Sequence, residues 1–304
     1  MQKSFRRTLL IIFGLFILTY LLSLLAASLA NALSFKLAVF LFFSSFISVF
    51  VISMILGQAL TSLLNHLLHY RKLLKLNNLT SPILLRLSKE APGTYHHSIL
   101  VADISSKAAT SIGRDALLCR IGSYFHDIGK LKNPSLFIEN NNHSDEQKNL
   151  STKDSTKYAQ NIISHIEEGT RLAKEVHLPE EIIDLIKQHH GTAIAKYYFQ
   201  KVKEIAPIKI NRKLFRYKGP KPQSKEAAIL MLSDDLEARS RSNKESFEKP
   251  SDFDIFVDEV IKEKIKEKQL EDTHFSSSDL RHLKKCFSET LQTIYHSRIK
   301  YPIS

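Results

Sequence analysis

Six of the thirteen histidines stand out by their neighbours: the adjacent pair His96 and His97, His126 followed directly by Asp127, His165, and the pair His189 and His190. A lone histidine on a helix is more often a satisfied core residue than a ligand, so it is the set that carries weight. A binuclear hydrolase needs two cations roughly 3.5–4 Å apart, a bridging carboxylate, several neutral imidazoles and an open position for water and phosphate. Imidazole with carboxylate suits iron, manganese or zinc, whereas all-oxygen sites suit magnesium. His97, His126, Asp127, His165, His189, His190 and the helical Asp234 supply seven such ligands. Asp127 is the group suited to bridging, because a carboxylate has two oxygens and a ring nitrogen cannot serve two metals.

These ligands must be carried by helices. From Ala91 onward the apolar spacing is helical, and no run alternates as a strand would. Pro179, Glu180 and Glu181 open a helix, with proline in the first turn and acids favourable to the dipole. Ile182, Ile183, Leu185 and Ile186 are its buried stripe, and Gly191 stops it just after the histidine pair. Glu226–Arg241 is a second helix whose first half is almost continuously apolar, the mark of a central helix. Periodicity alone does not choose between Asp234 and Asp235 on it. The basic stretch Ile205–Ser224, with Pro207, Pro220 and Pro222, is expected to be a loop, and Phe253–Glu267 and Ser278–Ser297 to be amphipathic helices. The expected fold is all-α. Cys119 and Cys286 are the two cysteines, too few for a disulfide framework or a CxxC zinc site and in keeping with a reducing compartment.

The formal net charge of +12 would suit a nucleic-acid binder, but it is unevenly placed. The first 89 residues hold nine lysines and arginines and no acid; from Glu90 onward 34 basic residues face 31 acidic ones. Thr8–Phe35 and Leu37–Asn65 are free of charge and histidine, each longer than the roughly 20 residues a spanning helix needs. The first is also too long for a signal-peptide core. A transmembrane helical hairpin is therefore expected over residues 1–70, with spans at about 9–31 and 38–62 and a turn at Asn31–Phe35. Lys3, Arg6 and Arg7 before it and Arg71, Lys72 and Lys75 after it put both termini on the cytoplasmic side of the cell (inner) membrane. Residues 71–90 form a juxtamembrane connector broken at Asn77-Asn78 and Ser81-Pro82, with His66 and His69 at headgroup level, and 91–304 form the cytosolic domain.

The order H…HD…H…HH…D resembles the HD-domain phosphohydrolase superfamily. His97-Ser98-Ile99-Leu100-Val101-Ala102 is similar to its HSxxVA opening, and HDIGK at 126–130 and HIEEG at 165–169 to its next two motifs. EAPGTYHHS (90–98), QHHGT (188–192), FRYKGPKPQSKEAAI (215–229) and IYHSRIKYP (294–302) resemble one branch, the PgpH-type, seven-transmembrane HD phosphodiesterases that cleave cyclic di-AMP. The resemblance runs from about Leu85 to Pro302. It departs from that branch in the membrane part: two spans stand where the family has seven and a sizeable extracytoplasmic region, as in a shortened form or the C-terminal piece of a longer arrangement.

The resemblance implies that His97, His126, Asp127 and Asp234 hold one metal, and that Asp127, as the bridge, holds the second with His165, His189 and His190. The metals would be two divalent transition ions, iron or manganese. A hydroxide between them would attack phosphorus in line and open cyclic di-AMP to linear pApA. Asp127 and Lys130 would be catalytic, Lys130 reaching a phosphate oxygen as a point charge from one helical turn beyond His126. Motif alignment prefers Asp234 to Asp235. His96 is a candidate for the pocket wall, and Arg216, Lys221, Lys225 and Arg298 for the second phosphate. The implied partners are a cyclic dinucleotide and the lipid bilayer, with no nucleic acid; a homodimer is compatible with the sequence. Two other functions are weighed against this one. Another HD nucleotide hydrolase, acting on cyclic di-GMP or an alarmone, shares HDIGK, but no GYP tripeptide follows the histidine pair. A non-catalytic scaffold would lack ligands, and all seven are present.

Overall fold

The computed structural model describes residues 14, 17–25, 28, 35–140, 152–205 and 211–295, in two compact units, Met1–Lys72 and Leu73–Ser304. In the first unit, residues 17–25 are helical and helix α1 spans Phe35–Leu76. The Ser23 hydroxyl lies 3.3 Å from that of Ser45, and Tyr20 meets Phe42 edge-on at 5.1 Å. The expected turn falls on residues 31–34, outside the described ones. α1 does not stop near residue 62, because the leucine-rich sequence beyond it contains no glycine or proline to break a helix. By length and composition α1 is apolar enough to cross a membrane.

After a break at Asn77–Ser81, α2 (Pro82–Glu90), α3 (Pro92–Ser111) and α4 (Ala116–Phe125) follow. Tight 3-10 turns carry the chain from Ile128 to Asn140. Then come α5 (Thr152–Ile163), α6 (His165–Glu175), α7 (Glu180–Gln188), α8 (Lys196–Ile205), α9 (Lys225–Ser242), α10 (Pro250–Lys266) and α11 (Ser277–Tyr295). The expected all-α fold is what is found: among the described residues there is no strand, only an isolated bridge between Ile194 and Arg216. In the basic stretch Ile205–Ser224, the described part holds one short 3-10 turn, Arg212–Phe215.

The helix starts follow local chemistry. Proline opens α3, where its missing N–H costs nothing. Asp115 and Ser224 cap α4 and α9 by accepting from the amides of Leu118 and Ala227. Two apolar clusters meet along α3 and α9. Val101, Ile121, Phe125, Ile128, Ile182 and Ile186 pack in one, and Ile104, Ile229, Leu232, Leu236, Val257 and Phe287 in the other. Residues 227–234 of α9 are buried without interruption, so α9 is the central helix its composition suggests. Both α3 and α9 therefore hold their site-facing residues on rigid, buried backbone.

Candidate metal centre

Five segments converge. α3 brings His97; the end of α4 brings His126 and Asp127; α6 begins at His165; α7 ends into His189 and His190; α9 contributes Asp234. Nε2 of His97 lies 3.0 Å from Oδ1 of Asp234, and Nε2 of His126 lies 3.2 Å from Oδ2 of Asp127 and 3.7 Å from Oδ1 of Asp234. The other oxygen of Asp127, Oδ1, lies 3.3 Å from Nε2 of His165 and 3.7 Å from Nε2 of His189. Asp127 thus turns one oxygen to each half of the cluster. Nδ1 of His190 lies 3.5 Å from Oδ2 of Asp234. Its neighbour Asp235 faces Lys264 at 3.0 Å and Arg239 at 2.7 Å instead. A one-residue step on a helix turns the side chain about 100°, which separates the two aspartates.

The rings are held by their far nitrogens. Nδ1–H of His126 donates to the carbonyl of Ser123 at 2.7 Å, that of His189 to Ile186 at 2.8 Å, and that of His165 to Ile162. Each bond runs three residues back, and each fixes the tautomer that leaves the Nε2 lone pair facing the centre. His97 is held differently: its Nδ1 is hydrogen-bonded to the buried carboxylate of Glu237.

Can these residues hold cations? His126 Nε2 and Asp127 Oδ1 are buried without a hydrogen-bond partner, and orphaned polar atoms in a core are costly unless something else satisfies them. Three triads offer converging ligand atoms: His165, His189 and His190; His97, His126 and Asp127; His126, His189 and Asp234. Nitrogen and carboxylate donors of this mix fit divalent transition ions. The protonation pattern agrees. Burial pushes both His97 and His126 down, yet neighbouring carboxylates outweigh it, carrying His97 up and His126 to about 10. Burial together with the charge on His126 takes His189 down to about 3, and burial beside His189 takes His190 well below its ordinary value. Asp127 and Asp234 stay well below the carboxylate range: burial opposes ionisation, but surrounding cationic groups prevail. Two buried carboxylates held ionised at its middle make the cluster a place that favours positive charge.

Lys130 does not sit one helical turn beyond His126 as expected, because α4 ends at Phe125 and the HDIGK segment tightens into a 3-10 turn. Its Nζ reaches Asp127 at 2.7 Å and Glu139 at 2.6 Å, under the ring of Phe137. His96 is exposed beside Tyr95. Arg216 donates to the Thr192 carbonyl, Lys221 lies 3.4 Å from Glu271, and Lys225 pairs with Asp279 at 2.7 Å. Arg298 lies outside the described residues. A cavity of about 290 Å³ opens on the cluster, walled by Lys130, Glu139, Met231, Arg241 and Lys264 among others. A second, of about 310 Å³, shares His190 and is otherwise lined by Ile163, Ile166 and Tyr217 together with the charged Glu167, Lys187 and Lys218, among others. Glu237, Glu139, Arg241 and Lys264 were not singled out from the sequence. Glu237 sits one turn after Asp234 on the same helix face, a spacing that by itself does not mark it out.

An all-helical core that gathers a His-Asp pair, further histidines and a distant aspartate around one carboxylate is the arrangement of an HD domain, and the chain belongs to the HD-domain family. The HD domain family model matches residues 94–239. The cyclic-di-AMP phosphodiesterase PgpH of Bacillus subtilis is 40% identical over 232 residues, covering 76% of this chain and 32% of its own length. The protein of the same name from Listeria monocytogenes is 37% identical over 238 residues, 78% of this chain and 32% of its own. The crystal structure of the L. monocytogenes PgpH HD domain in complex with cyclic-di-AMP superposes with a TM-score of 0.66 at 36% identity, covering 73% of this chain and all of that one. The chain spans about a third of the length of the curated relatives it matches.

Proposed function

We propose that the protein is a membrane-anchored phosphodiesterase that hydrolyses cyclic di-AMP to pApA at a binuclear centre. The observation that carries the substrate is the likeness, over the whole of that solved domain, to one crystallised with cyclic-di-AMP. The two cavities meeting at His190 suit a ligand with two nucleoside halves. His97, His126, Asp127 and Asp234 would hold one ion, and Asp127, His165, His189 and His190 the other. Bound there, two iron or manganese ions would lower the pKa of water and neutralise charge developing on phosphorus. The chain's own part is positioning. Asp127 presents both oxygens, anchored through Lys130 and, behind it, Glu139. The carbonyls of Ser123, Ile162 and Ile186 hold the Nδ1 edges of three imidazoles and so aim their Nε2 edges at the centre. In the net reaction a water oxygen bonds to phosphorus, the bond to a ribose 3′ oxygen breaks, and that oxygen leaves as a hydroxyl.

The anchor would be a two-span hairpin ending in α1, with both termini and the HD domain in the cytoplasm. Support comes from the length and apolarity of α1 and from the basic residues flanking the apolar stretch. The enzymatic reading is tested by incubating the full chain in detergent with cyclic di-AMP and Mn²⁺ and resolving products by chromatography. Production of pApA, lost by at least about a thousandfold in Asp127→Ala, is expected. Turnover of cyclic di-GMP in place of cyclic di-AMP would transfer the protein to the other nucleotide class, and activity surviving in Asp127→Ala would sink the mechanism.

A further inference from the structure

A cyclic dinucleotide carries two phosphodiester charges, and the metal centre accounts for one. We infer that Arg241 binds the second, non-reacting phosphate; the inference rests on the cyclic dinucleotide phosphodiesterase reading. Among the described residues, the cavity over the cluster has three cationic walls: Lys130, Lys264 and Arg241. Lys130 is committed to Asp127 and Glu139 at 2.7 and 2.6 Å. Lys264, its side chain only 8% exposed, is committed to Asp235 at 3.0 Å. Arg241 is placed otherwise. It stands on the last turn of α9 with 40% of its side chain exposed, and the acidic atom facing it, Oε2 of Glu237, is 3.6 Å away. That separation is beyond hydrogen-bond reach, and the same oxygen already serves His97.

Arg239, two residues earlier on the same turn, shows the contrast. It is locked by Asp235 at 2.7 Å and by both oxygens of Glu263 at 2.8 and 2.9 Å. One arginine of the turn therefore ties α9 to α10, while the other leaves its fork of donors at the cavity, one carboxylate and one imidazole away from the ions' place. A planar guanidinium matches two phosphate oxygens at once, which an ammonium cannot do. The basic residues that the sequence offered for this task, Arg216, Lys221 and Lys225, do not line this cavity.

The test compares Arg241→Gln and Arg241→Lys with wild type on two substrates in Mn²⁺. Cyclic di-AMP has the second phosphate; bis(p-nitrophenyl) phosphate has a reacting phosphodiester and nothing more. For Arg241→Gln, KM for cyclic di-AMP is expected to rise about 10- to 100-fold with kcat nearly unchanged, and Arg241→Lys to recover part of it. Hydrolysis of bis(p-nitrophenyl) phosphate and the Mn²⁺ titration midpoint should not move. Equal losses on both substrates, or a weakened Mn²⁺ midpoint, would mean that Arg241 acts through Glu237 and His97 and would overturn the inference. An unchanged KM would overturn it as well. If the wild-type chain does not turn over cyclic di-AMP at all, the parent reading fails and takes the inference with it, a result visible before any variant is made.

Discussion

The far nitrogen of His97 meets a carboxylate, where those of His126, His165 and His189 meet main-chain carbonyls. A carboxylate behind a histidine makes the ring a more basic ligand and fixes its orientation, and losing such a partner costs about 10–100-fold in metal affinity. Glu237→Gln keeps the shape and a hydrogen bond but removes the charge. It is expected to weaken Mn²⁺ binding by about that factor, read by titrating the apo-protein, while the fold stays intact by circular dichroism. An unchanged titration would show that Glu237 only fills space. Of this site, the histidines beside aspartate and beside each other were legible because they are conspicuous, whereas Asp234 was separated from Asp235 only by resemblance to the family motif. Glu237 and Glu139 were not legible. On paper Glu237 is one more helical glutamate, and only the packing of α9 between two apolar clusters shows that its carboxylate is buried. Glu139 reaches Lys130 because the 3-10 turns fold back on themselves, a path no periodicity encodes.

At the scale of elements, the HDIGK and HIEEG segments are two halves of one contact. A Cβ at Gly129 would lie 1.9 Å from the carbonyl oxygen of His165 and 2.4 Å from the amide nitrogen of Gly169. The turn after Asp127 thus lies directly on the first turn of α6, and this is how a ligand at the end of α4 and another at the start of α6 come to share one carboxylate. Both clashing atoms are backbone and cannot rotate away. Gly129→Ala should therefore cost at least about 1–3 kcal/mol and pull His165 from Asp127, seen as a lower urea midpoint and weaker Mn²⁺ binding. At Gly169 an added Cβ meets the Ile186 methyl at 3.1 Å and the Gly129 amide at 3.3 Å, so Gly169→Ala should be the milder change. Equal midpoints for Gly129→Ala and wild type would contradict the close approach. Helix positions were largely legible here: the stripes of α7, α9, α10 and α11 fall where the apolar spacing put them. The tightening of HDIGK into a 3-10 turn was not, because it is set by the docking of Gly129 on α6 and not by local propensity.

At the scale of the whole chain, charge and apolar surface divide in the same way. The first 89 residues hold nine basic residues and no acidic one, while α1 presents Phe40, Phe43, Ile47, Phe50, Ile55, Leu56 and Leu60, each more than half exposed. Burying a side chain of this kind gains about 1.5–3 kcal/mol, so leaving seven of them in water would forgo on the order of 10 kcal/mol or more. A contiguous exposed apolar surface of this size is uncommon on a monomeric soluble protein. A bilayer would cover it, and the basic flanks would then set the orientation. The full chain expressed in bacterial cells should remain in the membrane pellet through high salt and alkaline carbonate and be released by detergent. Protease added to intact spheroplasts should leave the HD domain whole, and protease added to inverted vesicles should digest it. Release by salt alone would reduce α1 to a surface attachment, and digestion from the outside would reverse the topology that Lys3, Arg6, Arg7, Arg71, Lys72 and Lys75 imply.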